Sequence, residues 1–250
     1  MEILQITPEQ AQAFLESEVA AREIDPSFLQ TPAWAQVKGG WQSKVIGFFE
    51  AKELVGTALV LARKMPKLNR YFLYIPEGPA LPARYLEAAV PLLRKYAISQ
   101  NGFALRVGPM VVKNRWNSET IKEALADESK KSLQQVTPSW INPDAIAIEN
   151  ILRVNGFKPS IDDVNGFAAG QPKYVYQLSL TGKTEADVLE GFNQLWRRNI
   201  KKGEKENVQV IRGSREDLAK FHEVYLETAT RDHFTPRPLS YFEKMWDATR

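Results

Sequence analysis

SKVIGFFEAKELVGTALVLARK, residues 43–64, consists of two apolar runs joined by a short polar link, Ala51-Lys52-Glu53. Valine, isoleucine, phenylalanine and threonine concentrated on either side of so short a step read as a β-hairpin. The next apolar run, RYFLYI at 70–75, supplies a third strand, so the fold is organised around a sheet. Helix signals surround it. Thr7-Pro8-Glu9-Gln10 has a capping hydroxyl, a proline at the first helical position and a glutamine three residues after the cap. Thr31-Pro32 repeats the device, and the short helix through Trp34 to Lys38 is stopped by Gly39-Gly40. An amphipathic helix from Ala83 to Ser99 ends at Asn101-Gly102, and FALRV, residues 103–107, reads as a buried strand.

A helix near 118–127 and another over DAIAIENILRVNGF, stopping at Gly156, follow. Residues 158–173 mix proline, glycine, aspartate and serine without periodicity and mark a junction between a first domain, 1–165, and a second, 170–250. The second begins with a strand, YVYQLSL (174–180). A Thr184-capped helix to Glu206, a strand VQVIR (208–212), a Ser214-capped helix to Thr230 and a last helix from Pro238 complete it. The order is mixed α/β, yet two strands are too few for an independent sheet, so this domain reads as the amino-terminal part of a larger one.

The 250 residues, 44% hydrophobic and 10% aromatic, suffice for a core. With 33 Lys and Arg against 30 Asp and Glu, the net charge of +3 is too small for a general polyanion binder. No DNA partner is expected, and any anion site is local. The absence of cysteine excludes a disulfide framework, a thiolate metal site and a cysteine nucleophile, and with only His222 and His233 no metal is expected. The polar amino terminus lacks the form of a secretory signal. The longest apolar stretch, Leu54–Ala62, is about half the ~20 residues of a membrane span, so a cytoplasmic protein is expected. Neither G-x-x-x-x-G-K-[ST] nor G-x-G-x-x-G occurs. Segments 36–41 and 153–158 approach the acetyl-CoA loop pattern [QR]-x-x-G-x-[GA] and fail at its last position.

Against these blanks stands NQLWRRNIKKGEKENVQV, residues 193–210. Arg197, Lys201 and Lys205 fall on one helical stripe, with Arg198 and Lys202 on the next. Like charges at i, i+4 repel by about 0.2–0.5 kcal/mol per pair. The cluster reads either as a solvated face beside Glu204 and Glu206 or as a surface for phosphates. A second concentration, TATRDHFTPRPLSYF (228–242), crowds Arg231, His233, Arg237 and Tyr241 into a loop stiffened by Pro236 and Pro238. Lys38, one turn after Trp34, is a third.

FLQTPAWAQVKGGW, YVYQLSLTGKTEADVLEGF, RRNIKKGEKENVQV and FHEVYLETATRDHFTPRPLSYF, four ordered blocks within residues 28–242, together resemble the Fem family of peptidoglycan peptidyl aminoacyltransferases. That resemblance implies tandem N-acetyltransferase-like domains, α/β in class, the second incomplete here. It also implies an aminoacyltransferase that adds an amino acid from aminoacyl-tRNA to the stem peptide of a peptidoglycan precursor, with no cofactor beyond that co-substrate. Lys38 and Arg237 would hold the diphosphate of UDP-MurNAc-pentapeptide or lipid II, and Tyr241 would add a hydroxyl contact. Arg197, Arg198, Lys201, Lys202, Lys205 and Arg231 would meet tRNA or phosphate. A lipid-linked acceptor would bring the chain to the membrane surface. No residue presents itself as the general base. Gly203 and Ser179 stand where the family commonly has alanine and aspartate, and family members continue further. Another N-acyltransferase of this fold and a truncated, non-catalytic acceptor or RNA-binding module are the competing readings.

Overall fold

The computed structural model describes residues 1–159, 172 and 174–249. Its elements begin with β1 (Glu2–Gln5), α1 (Pro8–Leu15), α2 (Glu18–Glu23), α3 (Pro32–Val37), β2 (Gln42–Glu50), β3 (Glu53–Lys64) and β4 (Tyr71–Ile75). They continue with α4 (Leu86–Ser99), β5 (Gly102–Val107), β6 (Asn114–Arg115), α5 (Ser118–Ala126), β7 (Trp140–Ile141) and α6 (Pro143–Val154). Last come α7 (Glu185–Gly191), α8 (Gln194–Lys205), α9 (Leu218–Asp232) and α10 (Leu239–Ala248). The chain divides into two compact units, Met1–Lys158 with Phe234–Arg250, and Pro159–His233.

The first unit is built on a sheet in which β1 to β5 lie in sequence order. β1 to β4 pair antiparallel and β5 joins β4 in parallel, with α4 as the crossover between them. Ala51 and Lys52, at φ 47° and 72°, form the two-residue turn of the β2–β3 hairpin. Positive φ at both central residues matches the right-handed twist of the strands they join. Alternation then sorts the side chains. Ile46, Ala58, Val60, Leu73 and Ile75 pack on one face with Ala89, Leu93 and Ala97 of α4 and Ile148 of α6. Val45, Leu59 and Leu61 pack on the other with Ala11 of α1, Trp34 and Val37 of α3, and Tyr241, Met245 and Ala248 of α10. Each fully buried valine, leucine or isoleucine among them contributes about 1.5–3 kcal/mol.

Gln30 is a buried polar tie across this unit. Its amide donates to the Pro76 carbonyl, and its Oε1 accepts the Leu59 N–H at 3.0 Å. A Cβ at Gly78 would lie 2.5 Å from the Gln30 Cδ, so only glycine lets the loop after β4 pass over this amide. That loop is also stitched to β3 by reciprocal Thr57 and Ala80 backbone bonds of 2.9 Å.

Several expectations are corrected. FALRV lies in β5 at the sheet edge and is half-buried, with Phe103 exposed, because among the described residues β4 is its sole strand neighbour. β1, which the polar composition of the amino terminus concealed, pairs with β2. The expected helix from Ala83 starts as a 3-10 turn over Ala83–Tyr85 before α4. The single Thr184-capped helix is two: Thr184 caps α7 in a capping box with Asp187, and Asn193 starts α8 afresh. Ser214 does not cap α9; its N–H and hydroxyl bond to the Asp217 carboxylate one turn before the helix starts. Residues 174–180 and 208–212 form no strands, and Tyr176 and Val210 stand almost wholly in solvent. A strand needs a partner ladder, and among the described residues of the second unit there is none. The expected junction at 158–173 falls mostly outside the described residues.

Candidate functional site

α3 is short, and its ends determine what it presents. Thr31 Oγ1 accepts the Trp34 N–H at 3.4 Å and Pro32 occupies the first turn. At the far end the Lys38 N–H bonds back to the Trp34 carbonyl at 3.1 Å, and the Trp41 N–H bonds to the Lys38 carbonyl at 2.8 Å, turning the chain into β2. Trp34 and Val37 are buried beneath, and the Lys38 Nζ comes to rest 4.8 Å from the Trp34 ring centroid. The ring face attracts the ammonium and limits its wandering.

The other half of the site comes from α10 and the loop before it. Pro236 and Pro238 flank Arg237, whose guanidinium carbon lies 4.8 Å from the Tyr241 ring centroid. Tyr241, Met245 and Ala248 pack into the cluster that holds Trp34 and Val37, and this docking carries Arg237 to Lys38. Burial, first, and the positive charge of Arg237, second, lower the Lys38 pKa below the ordinary lysine value. Two cations held within each other's field are arranged for an anion, whose arrival converts repulsion into shared attraction. Pro238 opens α10 with no side-chain cap, and the free amides of a first turn add to the positive field.

Lys244 is a third cation here that the sequence analysis did not single out. A Cβ at Gly39 would lie 3.4 Å from its Nζ, so the ammonium lies beside Gly39, next in sequence to Lys38. The signal was present: Tyr241, Lys244, Met245 and Ala248 share one helical stripe, apolar except for this lysine. The buried Trp34 Nε1 has no acceptor among the described residues, an unmade hydrogen bond under the same lysine.

The remaining sequence candidates belong to the second unit. Arg197, Arg198, Lys201, Lys202 and Lys205 are all exposed along α8. Arg197 donates to the Glu190 carbonyl at 3.3 Å, and Lys202 lies 3.7 Å from Glu206. Arg231 is engaged by the carboxylate of Asp232 at 2.9 and 3.1 Å. The sequence candidates thus separate into Lys38, Arg237 and Tyr241 in one unit and the six others in the second. Among the described residues no three His, Asp or Glu side chains gather as metal ligands. Where a carboxyl pKa is displaced, at Glu9, Asp127, Glu149, Asp187, Glu216, Asp217 and Asp232, it is displaced downward, away from a base poised near neutrality.

A family model described as the FemAB family matches residues 6–248. The lipid II:glycine glycyltransferase of Staphylococcus saprophyticus is 29% identical over 259 residues, an alignment covering 99% of this chain and 53% of that protein. Those of Staphylococcus epidermidis and Staphylococcus aureus are each 27% identical, again across 99% of this chain and 53% and 52% of theirs. The crystal structure of FemX superposes with a TM-score of 0.67 at 26% identity, covering 99% of this chain and 55% of that one. The chain spans about half the length of the curated relatives it matches.

Proposed function

The chain belongs to the FemAB family, and from that premise we propose that it serves an aminoacyltransferase of peptidoglycan bridge formation, with the acceptor held through its diphosphate at Lys38 and Arg237. The observation that carries this reading is geometric: α10 docks on the cluster beneath α3, so that Arg237, stacked on Tyr241, lies within the electrostatic field of Lys38, which rests on Trp34. Arg237 offers a planar fork and Lys38 a compact point charge; together they suit adjacent phosphates. The Tyr241 hydroxyl, on the first turn of α10, would add a neutral contact. The relatives are named for lipid II, and a lipid-linked or a UDP-linked precursor presents the same diphosphate.

In the reaction we infer, the amine of the stem peptide attacks the ester carbonyl of an aminoacyl-tRNA. A new C–N bond forms, the ester C–O bond breaks, and the proton lost from the amine is balanced by one gained on the departing ribose oxygen. The basic face of α8 is read as the surface that meets tRNA phosphates. The acetyltransferase-like reading of the first unit is supported by β1 to β5, an antiparallel run that ends in a parallel β4–β5 pair with α4 between them.

Calorimetric titration with UDP-MurNAc-pentapeptide tests the acceptor site. Lys38→Ala and Arg237→Ala are each expected to weaken binding at least tenfold, about 1.4 kcal/mol. Undiminished affinity in both variants would sink the assignment.

A further inference from the structure

Acidic residues are absent from three long stretches of the first unit, 26–49, 54–76 and 88–118, although the chain carries 30 in 250 residues. The fold draws parts of all three together at one end of the sheet. The β3–β4 hairpin, RKMPKLNR at 63–70, places Arg63, Lys64, Lys67 and Arg70 there, all exposed. The Tyr71 N–H donates to the Asn101 carbonyl at 3.1 Å, fixing the hairpin beside the carboxy-terminal end of α4, where Arg94 and Lys95 are exposed too. Lys44 of β2 bonds to Gln100 Oε1 at 2.6 Å in the same place. Among the described residues Lys64, Lys67 and Arg70 make no ion pair. The carboxylates of the adjoining segments, Glu50, Glu53, Glu77 and Glu87, lie at the opposite ends of their elements.

The cations are interleaved with apolar groups rather than with more polar ones. Leu68 at the hairpin tip, Ile98 near the end of α4 and Phe103 at the start of β5 are each more than half exposed. At the base of the hairpin a cleft of about 330 Å³ is lined by Lys44, Asn69, Tyr71, Tyr96 and Gln100, with no carboxylate in its wall. Among the described residues no helix is long and apolar enough to cross a membrane. Exposed apolar tips set among unpaired cations are what an anionic bilayer takes up: the charges meet phosphates, and the apolar groups enter the headgroup boundary. Of these three exposed groups only Phe103 is aromatic, whereas single-stranded RNA is held on a succession of aromatic faces.

We propose that this hairpin end of the first unit docks directly on anionic phospholipid, independently of any bound acceptor. The contact is with the bilayer surface, and the cleft at the hairpin's base accepts one headgroup. It goes beyond the acceptor reading and does not depend on it, because the test uses vesicles that contain no peptidoglycan precursor.

The test is flotation of the purified full chain with phosphatidylcholine vesicles, with and without about one third phosphatidylglycerol. Binding is expected only with the anionic lipid and should fall to a small apolar remainder between 0.1 M and 1 M salt, where the Debye length shrinks from about 10 Å to about 3 Å. Removing three charges together, Lys64→Ser, Lys67→Ser and Arg70→Ser, should weaken binding roughly hundredfold, near fivefold per charge. Leu68→Ser should remove the part of binding that survives added salt. Lys38→Ala should bind vesicles like the parent. All these changes are outside the core, so melting temperatures should be kept, and a variant that holds its melting temperature reports on the surface alone. No binding to anionic vesicles overturns the proposal. So does full binding by the triple variant, or a triple variant that loses tRNA while vesicle binding persists, which would assign the hairpin to RNA.

Discussion

Lys38 carries a charge that its surroundings resist, and the resistance has measurable consequences. Burial and Arg237 lower its pKa in the folded chain, whereas an unfolded lysine titrates at the ordinary value. Between the two pKa values the unfolded state binds more protons, so this group's penalty is fully present below the folded pKa and is relieved as pH rises through it. Lys38→Met is therefore expected to raise the melting temperature at neutral pH while abolishing diphosphate binding, a trade of function for stability read by thermal melts beside calorimetry. Ligand reverses the sign. A bound diphosphate favours the ammonium, so titration at alkaline pH should be accompanied by proton uptake, seen as a dependence of the heat on buffer ionisation. Gln30 is the second residue whose role is specific: Gln30→Leu would strand the Leu59 N–H and the Pro76 carbonyl in the interior. At about 1–3 kcal/mol for each of the two unsatisfied groups, a loss of about 2–6 kcal/mol in urea unfolding is expected. Lys38 and Arg237 were named from sequence through a family resemblance, and the fold places both in one unit. Lys244 left only the faint mark of one lysine in an otherwise apolar stripe of α10, and its place beside Gly39 could not be read locally from either residue.

At the scale of elements, legibility tracked how much of an element's stability is local. The β2–β3 hairpin was plain because its alternation and its turn residues are written within 22 residues, 43–64. The caps at Thr7 and Thr31 were equally plain, each being a contact between near neighbours. Residues 174–180 and 208–212 have the composition of strands, yet strand state is conferred by a partner, and composition cannot say whether one is there. Amide hydrogen exchange should separate the two cases: residues 174–180 and 208–212 should exchange near the unprotected rate, and β2 and β3 most slowly of all. α8 was misread in extent, since Phe192-Asn193 interrupts a pattern otherwise continuous from Glu185. Its charges are exposed, as both a solvated face and a phosphate surface require. If α8 meets tRNA phosphates, Arg197→Ala, Lys201→Ala and Lys205→Ala together should lower the slope of log affinity against log salt by about 2–3. An unchanged slope would leave that face merely solvated.

Across the whole molecule, the first unit takes its residues from both ends of the sequence. Met1–Lys158 supplies the sheet and α3, and Phe234–Arg250 supplies α10, which covers the face of the sheet opposite α4. Met245→Ala is therefore expected to cost about 1–2 kcal/mol, below the range for fully buried methionines because this one is half-exposed, and to perturb the fluorescence of Trp34. There is also a matter of timing. Lys38 and Arg237 are 199 positions apart (38 to 237), and a ribosome adds about 5–20 residues per second, so roughly 10–40 s separate their synthesis. For that interval the nascent sheet carries Trp34, Val37 and Leu61 without the helix that shields them. The pairing of Lys38 with Arg237 thus waits on α10 long after the sheet has been made, and a cell that needs the early chain kept from sticking to its neighbours must supply the missing cover itself.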